Sequence, residues 1–305
     1  FLPKFAVIGY GMLRVYPAIA NVTRSWLDIQ NSLPDFEVIN KWLSLPDDEL
    51  SNGTEVFNLK DSINITFKDV NFSYNGKDYI LSNFNLNIPP GETTSIVGGS
   101  GAGKSTIIDL ILKFRIPNSG VIRVGQQNLN QVIRKSWLEK IAVVRQEVYL
   151  FSGSIRENLS AWNEEASEIE MLDACKKAGA LEFIKSLPEG LDTLVGDRGV
   201  TISGGQRQRI AIARAILRKP DILVFDEALN ALDSKIEEDV LKSIKLDNPN
   251  LTMILISHRL STLKASDSII VCDGGQVVEK GSFSKLVQNQ GPFFELFASQ
   301  LNKTG

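Results

Sequence analysis

Cysteine and histidine are both scarce in this chain, which has two cysteines and one histidine among 305 residues. Cys175 and Cys272 follow no CxxC or metal-ligand spacing, so the sequence predicts two reduced thiols rather than a disulfide framework or a metal site. Such cysteine usage is typical of a protein in the cytosol.

An excess of positive charge is also missing. The formal net charge is -3, and no basic block occurs. A nucleic-acid-binding surface needs clustered lysine and arginine, so we expect no nucleic-acid partner. Any binding of phosphate by this chain must therefore depend on a local site.

The chain has no long hydrophobic run. Residues 5–13 are apolar, but Lys4 and Arg14 bracket them, and a membrane-spanning helix needs roughly 20 such residues. This stretch is at most the end of a span. Because the first residue is Phe1 and no signal peptide is evident, we expect a piece excised from a longer protein.

The next segment has the apolar spacing of a helix. Steps of four and three residues predict one face of a long helix, at Val15, Ile19, Val22, Trp26, Ile29 and Leu33. Pro34 is expected to interrupt it. A second short helix is predicted from Phe36, Ile39, Trp42 and Leu43. Turn-forming residues over 46–53 then predict a domain boundary near residue 60.

The remaining sequence favours an α/β fold. Residues 63–74 and 81–88 alternate apolar and polar positions, as half-buried strands do. Residues 222–225, 252–256 and 268–272 are short apolar runs between polar turns, which is typical of buried parallel strands. A 43% hydrophobic content is ample for a buried core.

Residues 98–106 read GGSGAGKST, behind a β-branched run and ahead of an apolar helical segment. Gly98, Gly103, Lys104 and Ser105 match the P-loop pattern. In this arrangement backbone N–H groups and a helix N-terminus converge on phosphates. We expect Lys104 to reach the β- and γ-phosphates, and the Ser105 hydroxyl to bind Mg²⁺.

Residues 221–227 read DILVFDE, a buried strand that ends in two carboxylates. Ligands of open α/β sheets lie at the carboxyl ends of the strands. Asp226 can hold Mg²⁺ opposite Ser105. Glu227 faces another direction, and it can orient or deprotonate an attacking water as a general base.

A second anion-binding helix start is predicted at residues 202–206, ISGGQ. Ser203 is a good N-cap residue, and the two glycines let a phosphate approach the backbone. The P-loop already serves one nucleotide, so this second site has no evident ligand in the same chain. It either serves a neighbouring chain or is a plain glycine-rich N-cap.

Together these motifs resemble the nucleotide-binding domain of exporter-type ATP-binding cassette (ABC) transporters. GGSGAGKST is similar to the Walker A motif, ILVFDE to Walker B with the catalytic glutamate, and ISGGQ to the signature sequence. Gln146 resembles the Q-loop, residues 231–233 the D-loop and His258 the switch histidine. Tyr74 is similar to the aromatic residue that stacks on adenine. The resemblance covers about residues 62–300.

This resemblance implies a P-loop NTPase (RecA-like) core with an antiparallel β subdomain and an α-helical signature subdomain at approximately 147–217. The nucleotide-binding domain would cover 61–305, after a helical tail of a truncated transmembrane domain plus linker at 1–60. The expected cofactors are ATP and Mg²⁺. The expected partners are a second copy of the domain and the transmembrane domain of the same polypeptide, with the nucleotide-binding domain on the cytoplasmic face of a membrane.

The resemblance also implies residue roles. The catalytic residues would be Glu227, His258 and Gln146, and Mg²⁺ would be held by Ser105, Gln146 and Asp226. The nucleotide would contact Tyr74, Gly98, Ser100, Gly101, Gly103, Lys104, Ser105 and Thr106. The second copy would contribute Ser203, Gly204, Gly205, Gln206 and Asp233 in trans, so that a monomer hydrolyses ATP poorly.

Three positions depart from the family pattern. Ile202 replaces the usual leucine, a change of similar volume. Asn230 replaces the common serine of the D-loop, which affects hydrogen bonding across the dimer. Asp197, in a loop that resembles the exporter-specific contact with the membrane domain, replaces a longer glutamate.

Two other functions compete with export. A soluble ABC-type ATPase that clamps DNA or ribosomes would be expected to carry coiled-coil insertions or basic patches, which the sequence lacks. A P-loop kinase or GTPase would leave ISGGQ and Glu227 unexplained. The cargo, the direction of transport and the membrane are not encoded in these motifs.

Overall fold

The computed structural model describes residues 2–44, 53–58, 63–196 and 202–301. The chain separates into two compact units, residues 1–49 and 50–305. The predicted linker residues at 46–52 and the loop residue Asp197 lie outside the described residues.

The first unit is one helix, α1 (Leu2–Ser44), which continues through Pro17 and Pro34. The prediction that Pro34 interrupts the helix and that a second short helix follows is therefore wrong. Proline has a helical φ angle, so inside a helix it removes one hydrogen bond and bends the axis without always ending it. Within the described residues, no helix is both long and apolar enough to span a membrane.

The second unit is built on two main sheets. Its strands are, in chain order, β1 (Ile65–Phe72), β2 (Leu81–Ile88), β3 (Thr93–Gly98), β4 (Ser119–Val124), β5 (Gln127–Asn128), β6 (Ile141–Arg145), β7 (Gly153–Ser154), β8 (Leu194–Val195), β9 (Ile222–Asp226), β10 (Thr252–Ile256), β11 (Ser268–Asp273) and β12 (Gln276–Gly281). The short strands β7 and β8 pair only with each other.

The larger sheet has the strand order β12-β11-β3-β10-β9-β6. All neighbouring strands are parallel except β12, which pairs antiparallel with β11. Strands β3 and β10 are buried at every position, as expected for a parallel sheet covered on both faces. The carboxyl ends of β3, β9 and β10 therefore lie along one edge, and the predicted α/β class is confirmed.

The smaller sheet is antiparallel, with the order β2-β1-β4-β5. The first strand is shorter than the predicted 63–74, because its partner β2 pairs with it only from Ile65 opposite Ile88 to Phe72 opposite Leu81. Asp69 has a left-handed φ of 50°, and the register shifts around it. This irregularity explains why the alternation of buried and exposed residues breaks within β1.

The helices of the second unit connect and cover these sheets. They are α2 (Lys104–Ile111), α3 (Arg134–Leu138), α4 (Ile155–Ser160), α5 (Glu168–Lys177), α6 (Leu181–Ser186), α7 (Gly204–Leu217), α8 (Ser234–Asp247), α9 (Leu260–Lys264), α10 (Phe283–Asn289) and α11 (Pro292–Leu301). Helices α4 to α7 fall within 147–217, and their apolar side chains share one core that includes Leu159, Met171, Ile184 and Ile210.

Both cysteines are free and buried. Burial raises the pKa of the Cys175 thiol and of the Cys272 thiol to about 12. Such thiols stay protonated and unreactive at neutral pH. The structure thus agrees with the expectation of two reduced cysteines.

Trp137 holds the end of the P-loop helix. Its side chain is fully buried, its indole Nε1–H donates to the carbonyl oxygen of Ile111 at 2.7 Å, and its ring packs edge-on against Phe57 with centroids 4.9 Å apart. The Trp137→Phe variant should lose about 2–4 kcal/mol of unfolding free energy, because it leaves a void and a buried carbonyl without this donor.

Urea unfolding followed by circular dichroism measures this effect. Trp162→Phe is the matched control, because Trp162 is 63% exposed and should change stability by less than about 0.5 kcal/mol. Equal losses in the two variants would contradict the role assigned to Trp137.

Candidate active site

The P-loop connects β3 to α2, and two of its glycines, Gly98 and Gly103, are needed for close packing. A Cβ atom on Gly98 would lie 2.2 Å from the carbonyl oxygen of Cys272. Gly103 has a left-handed φ of 88°, and its Cβ would lie 2.8 Å from Leu81. Larger residues would push the loop away from the sheet, so the glycines keep its backbone N–H groups at the helix N-terminus.

Lys104 lies folded over this loop. Its Nζ donates to the carbonyl oxygens of Gly98 and Gly99, both at 2.8 Å. Burial lowers the pKa of Lys104, and the negative charges of Glu227 and Asp226 oppose that shift. The lysine is thus close to both carboxylates. Its ammonium group can replace its hydrogen bonds to the two carbonyl oxygens with hydrogen bonds to phosphate oxygens.

A cavity of ≈ 430 Å³ opens in front of the P-loop. Its lining brings together residues of the loop and of two other strand ends, namely Ile80, Ser100, Gly101, Gly103, Lys104, Ser105, Thr106, Glu227 and His258. Eight of these nine residues were candidates from the sequence, and Ile80 was not. An apolar residue just before a strand carries no motif, so only its position after folding reveals it.

Glu227 and His258 form a pair in this wall. The distance from Glu227 Oε1 to His258 Nε2 is 3.2 Å. Glu227 has a left-handed φ of 52°, and its N–H donates to the carbonyl oxygen of Ile256 at 3.1 Å. This unusual conformation, which costs about 1–3 kcal/mol in a non-glycine residue, turns the Glu227 side chain into the cavity at the end of β9.

Asp226 lies one residue earlier, and its environment suits a cation. Burial raises the pKa of Asp226; the Arg145 charge opposes the shift, whereas Glu227 and Asp109 add to it. Among the described residues no group of three or more histidine, cysteine, aspartate or glutamate side chains could hold a metal alone. The oxygen atoms of Asp226 and Ser105 are a donor set that fits Mg²⁺, because this ion is usually bound by one or two protein oxygens plus substrate phosphates and water.

Gln146 follows β6 directly and is exposed. Strand β6 pairs with β9 in parallel, with Arg145 opposite Asp226, so Gln146 lies at the same sheet edge as the carboxylates. It is not among the described residues that line the cavity. Its predicted contact with Mg²⁺ therefore stays a prediction.

Tyr74 lies beside the P-loop helix rather than in the cavity lining. Its hydroxyl is 3.3 Å from Thr106 Oγ1, and Phe72 packs edge-on against its ring at 5.0 Å. The guanidinium carbon of Arg115 is 5.4 Å from the ring centroid, a cation–π contact that the sequence did not suggest. Tyr74 is 52% exposed, which leaves ring surface for a base.

Tyr74→Ala should weaken ATP binding roughly 5- to 100-fold, because stacking on a base contributes about 1–3 kcal/mol. The value of kcat should change little, since Tyr74 is not among the described residues that line the cavity with Glu227 and His258. Steady-state kinetics of the purified chain separate the two. Tyr74→Phe keeps the ring and serves as the control, and an equal loss in both variants would assign the effect to the hydroxyl.

The signature residues form a stable helix start elsewhere in the unit. Ser203 caps α7 in a capping box, in which its hydroxyl accepts from the Gln206 N–H and the Gln206 side chain accepts from the Ser203 N–H. A Cβ atom on Gly205 would lie 3.1 Å from the carbonyl oxygen of Ala231. Asp233 caps α8 by accepting from the N–H of Ile236.

The described residues that line the P-loop cavity include neither the signature residues nor Asp233. The structure of one chain thus brings residues of the Walker motifs and the switch histidine together. The second helix start, at Ser203, lies outside the cavity that they line. The predicted action in trans stays a prediction.

The fold and this cavity define a P-loop ATPase domain. The ABC transporter family model matches residues 81–230. The heterocyst differentiation ATP-binding protein HepA of Nostoc sp. is 41% identical over 293 residues, which cover 95% of this chain and 48% of that protein. The ATP-dependent lipid A-core flippase of Acinetobacter baylyi is 39% identical over 279 residues, covering 91% of this chain and 48% of the flippase.

Among solved structures, a bacterial Atm1-family ABC exporter with ATP bound matches with a TM-score of 0.79 and 36% identity. The match covers 89% of this chain and 48% of that chain. The chain belongs to the ABC transporter family, as an ATPase domain of the exporter type. It spans about half the length of these relatives, and they do not support the DNA-clamp alternative.

Proposed function

We propose that the domain hydrolyses ATP with Glu227 as the general base. The observation that carries the proposal is the Glu227–His258 pair, 3.2 Å apart in the wall of the cavity that also contains Lys104. Glu227 would accept a proton from the attacking water. His258 would hold that carboxylate in place and contact the γ-phosphate.

The other residues bind and orient the nucleotide. Lys104 and the loop N–H groups would hold the β- and γ-phosphates, and Tyr74 would stack on the base. Mg²⁺, when held by Ser105 and Asp226 with Gln146 nearby, would neutralise charge on the phosphates. The flat face of any base can stack on Tyr74, so base selectivity is expected to be weak.

We further propose that the complete site is shared by two copies packed head to tail. The P-loop cavity supplies a positive lysine, a carboxylate and a histidine, and none of the signature residues is among the described residues that line it. The helix start at Ser203 has backbone N–H donors and the positive end of the α7 dipole. One copy's Ser203 and Gly205 would therefore close on the γ-phosphate held by the other copy's Lys104.

The work of this ATPase is proposed to be export across a membrane, with the domain on the cytoplasmic face. A groove of ≈ 370 Å³ between β6 and α7 supports it. Its lining includes Phe114, Tyr149 and Trp162, which are 38%, 64% and 63% exposed. We assign this groove to the membrane part of the complete protein, because the relatives extend over about twice the matched length.

Two residues that line the groove are the sequence neighbours of Gln146. Arg145 and Glu147 line the groove, so Gln146 between them lies where the sheet edge meets it. A segment that docks in the groove would contact the residues on either side of Gln146. We therefore propose that Gln146 also relays the state of the nucleotide to the docked segment.

The groove assignment is tested in the complete protein reconstituted into phospholipid vesicles. Trp162→Arg should lower its ATPase rate at least several-fold, because a buried unpaired charge would oppose docking. The rate of the isolated chain should stay within about twofold. Leu246→Arg, at a 73% exposed position on α8, is the control, and equal rates in both variants would refute the assignment.

A further inference from the structure

A buried polar cluster includes Arg259, the residue that follows His258. Its centre is the carboxylate of Glu237 on α8, whose side chain is 1% exposed. This carboxylate accepts from Arg259 Nη1 at 2.8 Å and from Ser261 Oγ at 3.3 Å, and the Thr262 hydroxyl also donates to it. A buried carboxylate is costly without such partners.

Arg259 connects this carboxylate to the loop that follows Glu227. Besides Glu237, its Nη1 lies 2.6 Å from the carbonyl oxygen of Leu232 and 3.3 Å from that of Leu229. Its own N–H donates to Ser257 Oγ at 3.1 Å, and Ser257 is buried. The guanidinium thus ties the backbone of the D-loop to the backbone that carries His258.

These contacts connect two chain segments that the Glu227–His258 pair also connects. Glu227 begins the loop whose carbonyls Arg259 binds, and His258 is the residue just before Arg259. The Arg259 contacts therefore link the chain segment that follows Glu227 to the segment that carries His258, and the side chains of these two residues are 3.2 Å apart. Arg259 is not among the described residues that line the cavity, so it acts through its neighbours.

We infer that Arg259 is a positioning residue for ATP hydrolysis, which holds the Glu227 carboxylate and the His258 imidazole in register through its contacts with Glu237 and the carbonyls of Leu229 and Leu232. The inference rests on the proposed roles of Glu227 and His258. In this inference the buried Glu237 carboxylate fixes the direction of the Arg259 side chain. The inference also predicts that this cluster controls the geometry of the Glu227–His258 pair and not the affinity for the nucleotide.

The test compares Arg259→Met with the double variant Arg259→Met/Glu237→Gln. Arg259→Met should lower kcat about 10- to 100-fold, since a misplacement near 1 Å has effects of this size. The KM for MgATP should stay within about twofold. Its midpoint of urea unfolding should fall, because Glu237 loses its cation.

The double variant separates positioning from stability. A neutral glutamine needs no counterion, so the unfolding midpoint should return toward that of the unchanged chain while kcat stays low. A kcat that recovers together with stability would overturn the inference, as would an unchanged kcat in Arg259→Met. Arg156→Met is the matched control, because Arg156 pairs with Asp192 at 2.7 Å on the surface, and it should keep kcat.

If Arg259→Met does not fold, Arg259→Lys gives the same decision. Lysine keeps the charge beside Glu237 but cannot reproduce the planar guanidinium at the carbonyls of Leu229 and Leu232. A reduced kcat in folded Arg259→Lys supports positioning, and an undiminished kcat refutes it. Absence of ATP turnover by the wild-type chain at concentrations at which it is dimeric would refute the proposed function itself, whereas normal turnover with unaffected Arg259 variants would refute only this inference.

Discussion

Replacing Glu227 by glutamine should leave MgATP binding within about threefold and lower turnover by roughly 100- to 10,000-fold. Glutamine has nearly the same shape, so it can still occupy the left-handed turn after β9 and accept from His258. It cannot take a proton from water. Binding is measured with a fluorescent ATP analogue, and turnover is measured as release of inorganic phosphate.

The matched control is Glu238→Gln on α8, where the side chain is exposed and outside the cavity lining. It should behave as the unchanged chain. His258→Ala should also lose turnover while it keeps binding, because Glu227 then lacks the partner 3.2 Å away. Undiminished hydrolysis in Glu227→Gln would rule out this carboxylate as the base.

Mixing two inactive variants should restore activity if the site is shared between chains. Lys104→Ala removes the phosphate-binding lysine, and Ser203→Arg blocks the second helix start. In a mixed dimer, one site combines the intact Lys104 with the intact Ser203, and the other site has both defects. With random pairing, half of the dimers are mixed and each has one good site, so about a quarter of the unchanged activity should return.

Each variant alone is the control and should be nearly inactive at the same total concentration. Ser203→Arg also removes the cap of α7, which costs about 1 kcal/mol, so its folding is checked by circular dichroism. Recovered activity should fall on dilution, because the active species is a dimer. A mixture no more active than its components would contradict the shared site and would leave Glu227 as a base within one chain.

The local signals in the sequence predicted much of this fold. The runs at 222–225, 252–256 and 268–272 became β9, β10 and β11, because strands buried on both faces are predominantly apolar. The glycine-rich loop also connects a strand to a helix, as the motif predicted, and Gly98 is required there by a close backbone contact.

Predictions failed or fell short where a rule describes a tendency. Pro34 does not end α1, because proline is compatible with a helical φ and the adjacent turns continue. Arg115 beside Tyr74 and Ile80 in the cavity had no signal at all. They come from other parts of the chain, and their contacts arise only when the two sheets assemble.

The sequence by itself determined the chemistry of this protein: a P-loop lysine, a strand ending in Asp226 and Glu227, and a second capped helix start are each encoded within a few residues. Only the tertiary structure decided how the lysine and the strand end meet. It turned Glu227 toward His258 from the end of a neighbouring strand, and it brought Arg259 and Glu237 together. Short motifs reflect backbone geometry within one turn, whereas these contacts join residues about 30 positions apart through the packing of a parallel sheet.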